Sequence, residues 1–233
     1  MKRKLRYLCV IPARAGSKGI KNKNFLKINK LSLIQYTINT AINLKRYCDI
    51  VISSDSKKIK KICKKNNIRF SGFRPKYLSS DNSKTYDVVK YELKKAEEKN
   101  KNTYDGILLL QPTCPIRNLR KIKEAFKIIN NNKYDSLVSV SSVEAYHPER
   151  MKKFKRNYLI NYLKKKKENM IPRQKLPKVY IRSGSIYLIK RNAFLKYKSL
   201  VGKKCYGMIL EGLESINIDT IDDLNLLKLK LKK

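Results

Sequence analysis

Short apolar runs alternate along this chain with longer segments in which apolar residues recur every three or four positions. Residues 7–12 (YLCVIP), 49–53 (DIVIS) and 106–111 (GILLLQ) are runs of strand length, and the last is the most continuous. Such runs predict buried strands. Between them, Leu33, Ile34, Tyr36, Thr37, Ile38, Ala41, Ile42 and Leu44 follow helical spacing, with Ser32 placed as a cap. The turn Ser54-Asp55-Ser56 can cap a helix over 57–65. Further helices are predicted at about 85–98, where Val88, Val89, Leu93 and Ala96 share a face, and after Asn118, where Ile122, Ala125, Phe126 and Ile129 do.

Residues 68–70, 136–143, 185–189, 206–210 and 216–218 read as further strands, and 191–196 as a helical turn. A last helix over 224–231 starts at Thr220 and Asp223, spaced as a capping box. Strand and helix in alternation predict an α/β fold: a mostly parallel sheet with helices on both faces. The 233 residues suffice for one domain. The stretch 151–170 breaks the alternation and predicts a small excursion, roughly 144–182 with its flanks.

In open parallel sheets ligands sit beyond the carboxyl ends of the strands. Arg14, Ser54 and Asp55 fall at such ends. The first strand runs into Arg14, then Gly16-Ser17-Lys18-Gly19, Lys21, Lys23 and Asn24. A basic, glycine-containing loop after a strand can cradle a phosphate on backbone N–H groups. Its spacing fits neither GxxxxGK[ST] nor GxGxxG, so a basic surface turn is an equal reading at this stage.

Composition narrows the classes. The formal net charge is +38, from 56 basic and 18 acidic residues. Nucleic-acid binding is one explanation. However, 43 of the 56 are Lys, 20 further residues are Asn, and only Lys164 to Lys167 form a block of four. A dispersed Lys and Asn bias points to base composition rather than a phosphate-reading surface, so a nucleic-acid partner is disfavoured, while an anionic substrate would be steered favourably. No apolar run is long enough to span a membrane. The opening MKRK and the later Ala-Arg-Ala imitate a signal peptide, but about five apolar residues precede Arg14, against roughly 7–15 in such peptides. Five widely spaced cysteines without a CxxC predict reduced thiols, a cytoplasmic location and no zinc site.

The string IPARAGSKGIKNKN resembles the nucleotide-binding loop of the N-acylneuraminate cytidylyltransferases, the CMP-sialic acid synthetases, at Ala13, Arg14, Ser17, Lys18, Gly19, Lys23 and Asn24. The resemblance recurs at Arg74-Pro75 with Leu78 to Asp81, at LLLQPTCPIR, at Arg173-Gln174-Lys175-Leu176-Pro177 with Gly184 to Tyr187, and at INIDT. It implies a Rossmann-like nucleotidyltransferase that joins CTP to a nonulosonic acid, an acidic nine-carbon keto-sugar, releasing pyrophosphate. Within it, Arg14, Lys18 and Lys23 would neutralise the triphosphate, and Ala13, Arg14, Asn24, Arg74 and Thr85 would contact the nucleotide. Gln111, Arg173, Arg182, Ser183 and Tyr187 would line the sugar site. The resemblance places Mg²⁺ on Asp219 with Asn217 beside it, and makes the excursion a homodimerisation arm.

Five positions depart from the family pattern: Ala15, Cys114 for Ser and Ile116 for Leu, both mild, Ser183 where many members have Asn, and Asn217 where they have Asp. The lone His147, before Pro148, reads as a loop residue in preference to a general base. A 3-deoxy-octulosonate cytidylyltransferase is the enzyme alternative, and a basic nucleic-acid-binding protein the non-enzyme one.

Overall fold

The computed structural model describes residues 5–16, 20–143, 146–163, 170 and 172–231. Seven strands make the main sheet: β1 (Tyr7–Pro12), β4 (Cys48–Ser54), β5 (Arg69–Phe73), β6 (Gly106–Leu109), β7 (Ser136–Ser142), β10 (Tyr180–Lys190) and β11 (Cys205–Ile209). Their order is β11-β7-β10-β6-β1-β4-β5. β1 is parallel to β4 and β6, β4 to β5, and β7 to β11; β10 is antiparallel to both β6 and β7. The sheet is therefore parallel except for one reversed strand, in agreement with the expected fold class.

Alternation along β1 explains the two faces. Tyr7, Cys9 and Ile11 join one core, with α1 (Leu33–Ile42), α2 (Lys57–Lys65) and α5 (Leu119–Asn130). Leu8 and Val10 join the other, with α4 (Thr85–Asn100) and α6 (Arg191–Tyr197). Gly106 is required by close packing: a Cβ there would lie 2.5 Å from the Ile189 carbonyl oxygen and 2.6 Å from the Tyr7 ring. A third, smaller core seats α7 (Ile221–Lys230) through Leu224 and Leu227 against Ile28 and Leu33. Ile28 belongs to a two-residue strand, β2 (Lys27–Ile28), which pairs with β3 (Leu31–Ser32).

The helix ends follow their sequence signals with one exception. Ser56 and Asn118 accept backbone N–H groups of α2 and α5, and Thr220 with Asp223 makes a complete capping box on α7. Ser32 precedes α1 but makes no side-chain cap. The short helix α3 (Lys76–Ser79) has no counterpart in the sequence reading.

Two expectations are corrected. Residues 216–218 are not a strand: the Ile218 N–H donates to the Thr113 carbonyl, and Ile218 packs into the third core. The strand expected at 185–189 is the end of the longer β10. Its irregularity lies between Arg182 and Tyr187, where Gly184 has φ +80°. The excursion holds the hairpin β8 (Lys152–Lys155) and β9 (Tyr158–Asn161), which pair only with each other. The Lys164 to Lys167 block lies outside the described residues.

Candidate active site

The carboxyl ends of β1, β4 and β6 converge on one edge of the sheet, and the reversed β10 brings its first residues to the same edge. Beyond β1 the chain is pinned at its base. The Ala13 N–H donates to the Ser53 carbonyl at 2.8 Å, and the Ala15 N–H to Asp55 Oδ1 at 2.6 Å. Asn24 Nδ2 donates to the Arg14 carbonyl at 2.9 Å, closing the loop on itself. The Ala13 N–H and one Asn24 amide hydrogen are thus engaged within the protein. Lys18, with Ser17 and Gly19, lies outside the described residues.

Arg14 points across the edge to Asp81, Nη2 to Oδ1 at 2.5 Å. Lys23, largely buried, reaches Asp219 Oδ1 at 2.9 Å. The other Asp219 oxygen accepts from Asn217 Nδ2 at 2.5 Å. Asp219 is held from behind as well, since its N–H donates to Asp223 Oδ2. Partial burial pushes the Asp223 carboxyl up, but the N–H groups of Asp219 and Thr220 outweigh it and hold the carboxyl below its ordinary range.

Two cavities share this edge. The smaller, about 220 Å³, is lined by Arg14, Arg74, Ser80, Asp81 and Thr85 among others. The larger, about 510 Å³, is lined by Thr85, Gln111, Arg182, Ser183, Tyr187 and Asn217, and also by Tyr86 and the segment 198–201. Thr85, the first residue of α4, faces both. The structure therefore brings together Arg14, Arg74 and Thr85 on one side, and Gln111, Arg182, Ser183 and Tyr187 on the other. Arg173 is exposed on a 3-10 turn of the excursion and does not line either cavity.

Arg74 is buried to 6% exposure, and its guanidinium is occupied. Nε donates to Ser53 Oγ at 3.0 Å and Nη2 to the Ser53 carbonyl at 2.6 Å, while Ser53 Oγ donates to the buried Glu92 at 2.6 Å. Burial lowers its pKa, partly offset by Asp55 and Glu92. Arg74 thus ties α4 to the end of β4 beneath the smaller cavity.

Gln111 sits at the centre. Its Oε1 would lie 2.8 Å from a Cβ at position 184, so Gly184 is what lets the amide lie against β10. Below it, the Arg117 guanidinium donates to the Gln111 carbonyl at 2.5 Å, the Ser185 carbonyl at 2.9 Å and Thr37 Oγ1 at 3.1 Å. These three acceptors are all neutral. Desolvation there pushes the guanidinium down to about 10, against smaller upward effects of Cys114 and Cys9. Cys114 donates to the Ser183 carbonyl at 3.1 Å and to Asn217 Oδ1 at 3.4 Å, so two departures from the family pattern, Cys114 and Asn217, touch directly. Burial raises this thiol, which keeps it a hydrogen-bond donor.

His147 is a turn residue. Its Nδ1 accepts from the Glu149 N–H at 3.1 Å, so Nε2 carries the proton, 3.0 Å from the Pro177 carbonyl. Sequence reasoning missed Arg117, Tyr86 and the segment 198–201. The Leu200-Val201 pair is too short for periodicity to place, while Arg117 closes the matching stretch LLLQPTCPIR, a signal that marked its position but not its burial or partners.

The comparisons with known proteins agree with one another. The sequence model of a family described as Cytidylyltransferase matches residues 8–230. The chain is 33% identical over 234 residues to a Campylobacter coli protein named "Post-translational flagellin modification protein B", covering 97% of this chain and 95% of that one. It is 31% identical to the CMP-N,N'-diacetyllegionaminic acid synthase of Campylobacter jejuni, covering 91% and 89%. It is 32% identical to a Streptococcus agalactiae N-acylneuraminate cytidylyltransferase, covering 93% of this chain but 51% of that longer one. A CMP:2-keto-3-deoxy-manno-octonic acid synthetase structure complexed with CTP superposes with a TM-score of 0.66 at 16% identity, covering 98% of both chains.

Proposed function

We propose, from the premise that this chain belongs to the cytidylyltransferase family, that it transfers the cytidylyl group of CTP to the anomeric hydroxyl of a nonulosonic acid. The observation that carries this reading is the pair of cavities meeting at Thr85. One presents Arg14 and the other Gln111 and Arg182, which suits a triphosphate on one side and an acidic sugar on the other. Relatives named for legionaminic, pseudaminic and N-acylneuraminic acids support the acceptor class.

In the reaction the acceptor hydroxyl attacks the α-phosphorus and gives up its proton to solvent, the bond to the bridging oxygen breaks, and pyrophosphate leaves. Little covalent work falls to side chains; positioning and charge neutralisation do most of it. Arg14 and Lys23 neutralise the phosphates, exchanging their present carboxylate partners for them. Gln111 can donate to and accept from sugar hydroxyls without adding charge. Arg182 offers a guanidinium fork to the sugar carboxylate. His147, with both ring nitrogens engaged, serves the fold.

Mg²⁺ fits this site only as a companion of the triphosphate. Among the described residues no cluster of three His, Cys, Asp or Glu could hold a metal. Asp219 supplies one hard carboxylate, while the Asn217 amide turns its nitrogen to Asp219 and its oxygen to Cys114 and would have to flip to add a neutral oxygen; Mg²⁺ takes such donors alongside phosphates and waters. When bound it would supply positive charge to the phosphates.

A homodimer is part of this proposal. Phe154, Tyr158 and Leu159 are 78%, 74% and 60% exposed on the β8–β9 hairpin, an apolar surface suited to a second copy. Arg173, exposed on the same excursion, would be offered there to a neighbouring site. The five free cysteines and the lack, among the described residues, of a helix long and apolar enough to cross a membrane support a cytoplasmic enzyme. The test is phosphorus NMR of CTP, Mg²⁺ and a nonulosonic acid with the purified protein. Equal growth of a CMP phosphodiester and of pyrophosphate is expected; release of inorganic phosphate alone would refute the assignment.

A further inference from the structure

A second basic region lies at the opposite edge of the sheet, where β1, β4 and β5 begin. A cavity of about 400 Å³ there is lined by Arg6, Lys45, Arg69 and Lys99 among others. A smaller one beside it, about 220 Å³, shares Arg6 and Lys45 and adds Arg46. These cations come from four separate segments: the approach to β1, the turn after α1, the start of β5 and the end of α4. Among the described residues, Asp49 is the only acidic one that lines either cavity. It is already engaged, accepting from Arg6 Nη2 and from the Tyr104 hydroxyl, each at 2.7 Å. The nearby Asp105 accepts the Arg6 N–H at 2.7 Å and lies outside the lining.

Helix ends account for part of this charge. α1, α2 and α4 all finish at this edge, and a helix C-terminus, equivalent to roughly −0.5 of a charge, favours cations beside it. Three such ends and Asp49 offset about half of the five cations, so the lining keeps an excess of about two positive charges. Among the described residues no carboxylate lies within ion-pair distance of Lys45, Arg69 or Lys99. The net charge of +38 draws anions to much of the surface. Here, however, the cations surround a concavity within the usual range for a small ligand, about 300–1,000 Å³. The same lining includes the apolar Cys48, Ile50 and Ile68, all buried, and the amides of Asn67 and Asn100.

We propose that this cavity is a second anion site, separate from the catalytic edge, and that it takes a diphosphate group, either free or carried by a nucleoside. Two linked phosphates match the surplus of charge. Arg69 has Nη2 3.4 Å from the Lys95 carbonyl and offers its remaining donors to a phosphate as a planar fork. Lys45 and Lys99 are exposed and reach the same anion as flexible point charges. The apolar side chains give a nucleoside, where one is attached, a surface to lie on.

The test is calorimetric titration of the full chain with pyrophosphate, without Mg²⁺ and at about 0.15 M salt, where scattered surface charges are screened. The protein carries Arg14→Ala and Lys23→Ala, which weaken any binding at the catalytic edge. Saturable binding is expected to remain. Adding Lys45→Gln and Lys99→Gln should weaken it by on the order of 10-fold or more, because hydrogen bonds between charged groups are among the stronger ones. Adding Lys123→Gln and Lys127→Gln instead removes the same charge from the exposed side of α5 and should change it by less than about 2-fold. ADP is titrated beside pyrophosphate. Tighter binding of ADP identifies a nucleoside diphosphate, and equal or weaker binding a free diphosphate; either supports the site. No saturable binding, binding unchanged without Lys45 and Lys99, or an equal loss from the α5 control overturns the proposal. None of these outcomes bears on cytidylyl transfer, which is tested separately.

Discussion

Lys23 Nζ and Asp219 Oδ1 lie 2.9 Å apart, although 196 positions separate them in sequence. The contact ties the loop after β1 to the entry of α7. It also means that the lysine proposed to neutralise phosphate and the carboxylate proposed to hold the metal occupy each other. On the proposed reading Mg–CTP would satisfy both at once, with phosphate for the lysine and a cation for the aspartate. Arg14 and Asp81 form a second such pair on the same edge. Arg14→Ala and Lys23→Ala should each lower kcat/KM for CTP by on the order of 10²-fold, comparable to losing one preorganised charge contact. Steady-state kinetics check this; near-normal turnover in both variants would remove the phosphate-cradle assignment.

Because Asp219 is the sole carboxylate at the expected metal position, free enzyme should bind Mg²⁺ negligibly. Activity should track the Mg–CTP complex. Asn217→Asp places a carboxylate where the amide now donates to Asp219, and the two charges repel until a cation joins them. Without nucleotide, millimolar Mg²⁺ should leave the wild-type melting temperature unmoved and raise that of Asn217→Asp. The same variant should need less Mg²⁺ for half-maximal rate. Asp219→Ala should retain the fold and lose nearly all activity; full activity in this variant would contradict the placement.

Arg74 separates structural from catalytic effects. Its guanidinium, Ser53 and Glu92 form one buried polar network, and removing the cation leaves Glu92 uncompensated. Arg74→Met should destabilise the protein by about 3–5 kcal/mol, as found for buried pairs broken on one side. Thermal and urea unfolding measure this. A stability within about 0.5 kcal/mol of wild type would show that the network does not hold β4 and α4 together.

Gly184→Ala tests the support of Gln111. A methyl there meets Oε1 at 2.8 Å and must also adopt φ +80°. The amide can swing away, so the fold should survive with a loss of about 1–2 kcal/mol from the backbone. A displacement of a positioning group costs on the order of 10²-fold in rate, so kcat should fall far more than stability. Unchanged kcat with folded protein would mean that Gln111 does not orient the acceptor.

Much of this layout was legible from patterns. The apolar runs of β1, β4 and β6 are central strands, and alternation along Tyr7 to Ile11 sorts two cores. Capping signals at Ser56, Asn118 and Thr220 act where the sequence places them. Less legible was anything set by tertiary contact. Residues 216–218 have strand composition, yet the Ile218 N–H is taken by Thr113 and the segment passes beneath the site. The bulge of β10 carries Gly184 against Gln111, a close approach between residues 73 positions apart. Arg117 clamps three neutral acceptors, the nearby Gln111 carbonyl and two from the distant Ser185 and Thr37. The resemblance to known cytidylyltransferases supplied residue roles that spacing alone does not contain.

The most direct test of the central claim is nucleotide choice with a nonulosonic acid acceptor. Purified protein with Mg²⁺ and N,N'-diacetyllegionaminic acid or N-acetylneuraminate should release pyrophosphate from CTP and form the CMP-sugar. UTP differs from CTP in the hydrogen-bonding groups of its base, and a site built to pair those groups discriminates strongly. A kcat/KM for CTP on the order of 10²-fold or more above that for UTP and ATP is predicted. Equal use of UTP or ATP, or turnover of 3-deoxy-octulosonate with no nonulosonic acid accepted, would contradict the account.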